Sequence, residues 1–260
     1  MNLLVKAIHR LTCGVEISLG LDMKTIRLLV GLGVLAAVSS NPIPACAAES
    51  EGVAVAIICD TSGSMNEQVR DGSGKMTPKY LIANRALANI ATRIQAFATN
   101  TTTGPQRNIQ AGLFVFAGTS TKQAVKFGPF DAAALKDWAR RFSSPNGGTP
   151  LGNALAEAGK TVLNSGLTRK HILIITDGNN TLGPTPAAIM PQVKQQAAVN
   201  HTEVSVHFIA FDVDAKVFES VKMLGATVVG ASNETQLNMQ LEFILATKIL
   251  LEDEEPRKTK

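Results

Sequence analysis

Val53-Ala54-Val55-Ala56-Ile57-Ile58-Cys59 is a continuous apolar run, and Asp60-Thr61-Ser62-Gly63-Ser64-Met65 follows it without a break. A strand with one wet face would alternate apolar and polar residues. An unbroken run of this length predicts a strand covered on both faces, as in a parallel sheet. His171-Ile172-Leu173-Ile174-Ile175-Thr176 has the same character and also ends on a carboxylate, in Asp177-Gly178. Apolar runs at 109–117 and 204–211 predict further strands, with a short edge strand over 122–127 and another at 227–229.

Helical segments separate these runs. Leu81, Ile82, Ala86, Ile90, Ile94 and Phe97 lie near one stripe of a helix over 79–98, with Pro78 at its start, where a missing N–H costs little. Asp131 is the expected N-cap of a helix running through Phe142. Further helices are expected over 150–164, with Gly166 as the stop, and over 186–200, 215–224 and 234–251, before a charged tail at 252–260. Strands alternating with helices imply βαβ units and a mostly parallel sheet with helices on both faces. Ligands of such sheets bind beyond the carboxyl ends of the strands. The segments to inspect are therefore 60–65, 143–149 and 177–183.

Composition narrows the function classes. The chain has 260 residues, 45% of them hydrophobic, which is enough to bury a full core. Its 25 basic and 21 acidic residues contain no dense basic block of the kind that binds nucleic acid, and one Trp and one Tyr leave little for base stacking. Three cysteines without a Cys-x-x-Cys pair build neither a disulfide framework nor a structural zinc site.

Met23-Lys24-Thr25-Ile26-Arg27 leads into an apolar run at 28–38, and a polar stretch then ends in Ala45-Cys46-Ala47. A basic start, a short apolar run and a small-x-small exit predict a secretory signal peptide over 23–47, the run being too short to anchor in a bilayer. Residues 1–22 would then be an upstream extension, with Met23 rather than Met1 as the initiator. Cys46 stands where a lipoprotein would carry its acylated cysteine, but Ile43 and Pro44 fit that signal poorly. Four basic and two acidic residues precede a cleavage after Ala47, so the exported domain, 48–251 with its tail, would carry a net charge of +2. It keeps a single cysteine, Cys59, in a buried run, which suits an exported protein that uses no disulfides.

The three loop segments supply hard oxygens: carboxylates from Asp60 and Asp177 and hydroxyls from Ser62, Ser64 and Thr149, the last in Gly147-Gly148-Thr149-Pro150. An oxygen-only donor set suits Mg²⁺, Mn²⁺ or Ca²⁺ and disfavours zinc. In a tight turn, an aspartate and the serines two and four residues on can point inward together, and Gly63, Gly147 and Gly148 give the backbone room. Each piece alone also suits an ordinary turn or helix cap. Together, in this order, they resemble the metal-ion-dependent adhesion site (MIDAS) of bacterial von Willebrand factor type A domains, over about 53–250.

The resemblance implies a Rossmann-like three-layer α/β sandwich. It also implies Ser62, Ser64 and Thr149 as hydroxyl ligands, and Asp60 and Asp177 binding directly or through water. A partner carboxylate or water would complete the shell of a bound cation, with Mg²⁺ foremost. Two carboxylates balance a dication and leave it electrophilic toward an incoming Asp or Glu. The expected function is thus an exported, non-enzymatic module for adhesion or assembly that binds a protein partner. The alternatives are a metal-dependent hydrolase and a structural component of an envelope, secretion or pilus machine.

Other motifs are weaker. Gly72-Ser73-Gly74-Lys75-Met76 lacks the first glycine and the final hydroxyl of a phosphate-binding loop and reads as a mobile loop. A haloacid-dehalogenase-like site needs an aspartate where Ser62 stands. No Gly-x-Ser-x-Gly elbow surrounds Ser62 or Ser64. His171 and His207 read as structural residues of strands, and Met65 as packing beneath the first loop.

Overall fold

The computed structural model describes residues 49–100, 107–117 and 119–250. The expected signal peptide, the upstream extension, Cys46, the tail and the domain limits at 48 and 251 lie outside these residues.

Eight strands are described: β1 Ser50–Cys59, β2 Gln68–Arg70, β3 Met76–Pro78, β4 Ile109–Ala117, β5 Ser120–Pro129, β6 Leu167–Thr176, β7 Ser205–Phe211 and β8 Thr227–Ala231. The α-helices are α1 Lys79–Thr99, α2 Ala132–Arg141, α3 Leu151–Leu163, α4 Pro186–Val199, α5 Glu219–Met223 and α6 Glu234–Ile244. Six strands form one sheet in the order β5-β4-β1-β6-β7-β8, in which every pairing is parallel except β4 with β5.

The register explains the apolar runs. Ile57 faces Leu113 of β4 on one side and Leu173 of β6 on the other. Along β1, Val53, Val55, Ile57 and Cys59 enter one core with α1, α2 and α6, while Ala54, Ala56 and Ile58 enter the opposite core with α3 and α4. Both faces of the sheet are covered, giving three layers. Each fully buried Ile or Leu contributes about 1.5–3 kcal/mol relative to exposure. The chain reverses direction across the sheet at β1, since β4 lies on one side of it and β6 on the other. A crevice at that point is where a doubly wound sheet binds ligands.

Local signals act as expected at several ends. The Asp131 side chain accepts from Ala134 N, and Gly166 takes a φ of 69° just before β6. The differences also have physical causes. The edge strand expected over 122–127 extends across Ser120–Pro129, because its antiparallel pairing with β4 runs almost the whole length of both; Lys122 and Lys126 occupy this edge. Gly72–Lys75, expected as a mobile loop, is the tip of a β2–β3 hairpin pinned by Asp71. Its carboxylate accepts from Ser73 N, Lys75 N and the Thr77 hydroxyl.

The helix expected over 215–224 divides into a 3-10 turn, Ala215–Phe218, and the short α5. The closing helix passes into a π-helical turn at Leu245–Leu250, so its periodicity continues while its hydrogen bonding changes. Leu81 is 37% exposed rather than on the buried stripe of α1, where Leu87 is fully buried.

Candidate functional site

β1 and β6 are adjacent parallel strands, so the residues that follow their carboxyl ends, Asp60 and Asp177, emerge side by side. The Asp60 carboxylate is fixed from both sides: Oδ1 accepts from Ser62 N at 2.8 Å, and Oδ2 accepts from the Thr176 hydroxyl at 2.6 Å. The first contact folds the loop back on itself. A 3-10 turn, Gly63–Asn66, then carries Ser64 inward while Met65 is buried beneath it. Ser62 Oγ lies 3.1 Å from Ser64 Oγ, and Ser64 Oγ donates to Asp177 Oδ1 at 2.8 Å.

The loop before α3 is tied to this turn by its backbone. Gly63 N donates to Gly147 O at 3.0 Å and Asn146 N to Thr61 O at 2.9 Å. Gly147 takes a φ of 77°, which disfavours any residue with a Cβ. A Cβ at Gly148 would stand 2.7 Å from the Leu182 side chain. Gly63 is less constrained than its position suggests, since a Cβ there would meet nothing closer than Gly147 O at 3.6 Å. Thr149 is buried at 4% exposure, and Thr181 brackets it: Thr149 N donates to Thr181 Oγ1 at 2.7 Å, and Thr181 N donates to Thr149 O at 3.0 Å. Asn180 ties the same loop to α3, accepting from Gly152 N at 3.0 Å.

Four of the five expected residues, Asp60, Ser62, Ser64 and Asp177, are thus linked through hydrogen bonds, and Thr149 sits on the loop bonded to the same turn. Oxygens in neighbouring positions around an octahedral cation at about 2.1 Å stand about 3.0 Å apart. The 3.1 and 2.8 Å separations among the Ser62, Ser64 and Asp177 oxygens are compatible with that spacing. Among the described residues no three Asp, Glu, His or Cys side chains converge in the manner of a metal site. A cation held here would take hydroxyl as well as carboxylate oxygens.

Electrostatics at the site are tense. Burial, aided by the charge of Asp177, outweighs the hydrogen bonds from Ser62 and Thr176 and raises the Asp60 carboxyl to about 6. Asp177 has a partner that the sequence did not reveal. Lys79, the first residue of α1, is 2% exposed, and its Nζ lies 3.2 Å from Asp177 Oδ2, 2.7 Å from Glu67 Oε2 and 3.0 Å from Asp212 Oδ2. Burial works against its charge, but hydrogen bonds to Glu67 and Asp212 and the charge of Asp177 hold the ammonium well above the ordinary lysine range. Asp212, just beyond β7, adopts a left-handed φ of 56°. Thr176, Lys79, Glu67 and Asp212 were all absent from the sequence-based site. Only Thr176, beside Asp177 at a strand end, had a position that could have drawn notice.

Cys59 is buried, and burial pushes its thiol far up, as befits an inert core residue. His171 and His207 stack on neighbouring strands with Nδ1 and Nε2 3.3 Å apart.

Comparison with known proteins agrees with this architecture. A family model described as von Willebrand factor type A domain matches residues 55–180. A search of curated proteins found no match. Among solved structures, the PilB minor pilin from Streptococcus sanguinis is 17% identical with a TM-score of 0.56, covering 75% of this chain and 60% of that one. The vWF domain of the type V pili tip protein Mfa5 from Porphyromonas gingivalis is 14% identical with a TM-score of 0.55, covering 76% of this chain and 95% of that one. Proximal thread matrix protein 1 from the mussel byssus, solved with a zinc-occupied MIDAS motif, is 16% identical with a TM-score of 0.53, covering 75% and 48%. The chain spans about three-fifths of the length of the pilin, and likeness at such identities speaks for the fold. Over residues 55–180 the chain is thus similar to von Willebrand factor type A domains, and its fold agrees with theirs.

Proposed function

We propose that this chain is an exported protein-binding module for adhesion or assembly. In this reading Asp60, Ser62, Ser64, Thr149 and Asp177 hold one divalent cation, Mg²⁺ or Mn²⁺ before Ca²⁺, and a carboxylate of the protein partner completes its shell. The observation that carries the reading is the hydrogen-bonded chain from Asp60, through the Ser62 backbone N–H and the hydroxyls of Ser62 and Ser64, to Asp177, whose two oxygen–oxygen separations are compatible with an octahedral edge. The bound cation would supply Lewis acidity toward that carboxylate. The protein's own part is to hold the hydroxyls in place through the Asp60–Ser62 turn and the Gly147 contact.

A non-enzymatic role is part of the same proposal. The hydroxyls of Ser62 and Ser64 contact each other and Asp177, and among the described hydrogen bonds no imidazole or amine touches either. Export rests on the segment 23–47 preceding a domain over 48–251, and no helix among the described residues is long and apolar enough to cross a membrane. The pilin, pilus-tip and byssal neighbours lend support by analogy, including the zinc-occupied MIDAS of the byssal protein.

The test compares the melting of wild type and Asp60→Ala in Mg²⁺ or Mn²⁺ and in chelator. A cation at 100 times its Kd should stabilise the wild type by about 2.7 kcal/mol and leave the variant unchanged. Equal responses in both proteins, or no response in either, would refute the metal site. Partners that co-purify with wild type but not with Asp60→Ala would identify what the module binds.

A further inference from the structure

Lys79 is a buried cation placed against the candidate site. Its ammonium has three protons to donate, and it meets three carboxylates at 2.7, 3.0 and 3.2 Å. Those carboxylates come from three separate places: the turn after β1 (Glu67), the end of β6 (Asp177) and the end of β7 (Asp212). Its position at the first residue of α1 is unfavourable for a cation, because the positive end of a helix dipole lies there. The local carboxylates, rather than the helix, are what hold it.

Asp177 is divided between two tasks. Its Oδ1 accepts from Ser64, on the side of the proposed cation, while its Oδ2 accepts from Lys79. Asp60, Asp177, Glu67 and Asp212 together bring four negative charges, and Lys79 returns one. With a dication bound, the neighbourhood carries a net charge of −1. Without Lys79 it would carry −2, and an arriving carboxylate would meet correspondingly stronger repulsion.

We propose that Lys79 is the residue that sets the charge of this site: it weakens the hold of Asp177 on the cation and lowers the repulsion met by a partner carboxylate. The inference rests on the metal-site reading above, and it deepens that reading by assigning affinity and selectivity to a residue that does not itself touch the cation. Lys79 thereby trades tight retention of the metal for acceptance of an acidic ligand.

Two variants separate this role from a structural one, because they break the same bridge with opposite changes of charge. Lys79→Met removes a positive charge and should tighten Mn²⁺ binding about tenfold, the effect of one unit charge on a nearby dication under water-like screening. Asp212→Asn removes a negative charge and should loosen Mn²⁺ binding a few-fold, Asp212 being partly exposed. Mn²⁺ affinity would be measured by calorimetry. Acetate affinity for the Mn²⁺-loaded protein would be followed by displacement of Mn²⁺-bound water in proton relaxation, and it should fall in Lys79→Met.

Unchanged or weaker Mn²⁺ binding in Lys79→Met, with wild type binding normally, would overturn the role of Lys79 and leave the metal site standing. Absence of Mn²⁺ binding in wild type would overturn both. If Lys79→Met does not fold, Lys79→Gln, which removes the same charge but can still donate to the carboxylates, carries the test. It should tighten Mn²⁺, and looser or unchanged binding in it would overturn the proposal.

Discussion

Replacing Asp60 with asparagine should make the metal-free protein more stable while removing its response to metal. Asp60 is 1% exposed, and its carboxyl is raised from 3.8 to about 6. A carboxyl that binds its proton more tightly when folded loses stability as the pH rises from about 4 to about 6, and above 6 the full penalty remains. A shift of that size corresponds to about 3 kcal/mol at neutral pH. Asparagine carries no charge, and it can keep the local bonds. Its oxygen can accept from Ser62 N, and its amide can donate to Thr176 Oγ1, provided that hydroxyl turns its proton to Gly178 O at 3.2 Å.

The assay is urea unfolding in chelator at pH 7.5 and at pH 3.8. At the higher pH the variant should unfold later, by on the order of 1 M urea for a domain of this size. At the lower pH the two proteins should nearly coincide. Addition of Mg²⁺ should then stabilise the wild type and not the variant. A variant less stable than wild type at pH 7.5 in chelator, or a difference that does not change with pH, would refute the reasoning. Such a result would mean that the buried carboxylate is compensated in the folded state without a cation.

Other expectations follow from the same contacts. Burial lowers His171 to about 3 and His207 to about 4, so both bind protons more weakly folded than unfolded and stability is lost as the pH falls below about 6.5. At pH 5 each costs about 2 kcal/mol relative to neutral pH. Asp60 titrates in the same range with the opposite sign, so the clean measurement compares wild type with His171→Phe/His207→Leu by urea unfolding at both pH values; an equal acid loss in both would contradict the assignment. Gly152→Ala, which in a helix interior usually stabilises, should here destabilise by about 3 kcal/mol. The reason is that its Cβ would stand 2.0 Å from Pro184 O, and a melting curve decides the sign.

The parts of the molecule that were legible in the sequence are those whose cause is local. The unbroken run of β1 announces a strand buried on both faces, and Asp131 and Gly166 act through bonds or dihedrals within a few residues. That Asp60, Ser62, Ser64 and Asp177 lie together was legible because strand ends and turn residues mark the loops that hold them. The Lys79 bridge was not, because two of its carboxylates, Asp177 and Asp212, are distant in sequence and converge on it only when β1, β6 and β7 lie in their final order. Lysine at a helix start looks like a solvated residue, and nothing in its neighbours marks it as buried. The β2–β3 hairpin escaped notice for a different reason: strands of three residues carry no period, and Gly72-Ser73-Gly74 resembles any loop. The π-helical turn kept helical periodicity and so read as ordinary helix.

The most direct test is the stoichiometry of Mn²⁺ on the purified domain, counted by electron paramagnetic resonance in wild type, Thr149→Ala and Asp177→Ala. These two residues come from loops remote in sequence from Ser62 and Ser64, so their joint effect reports whether the donors meet at one ion. One Mn²⁺ per chain in wild type, lost or weakened at least tenfold in both variants, is the expected result. Wild-type affinity retained in either variant, or no bound Mn²⁺ at all, would contradict it.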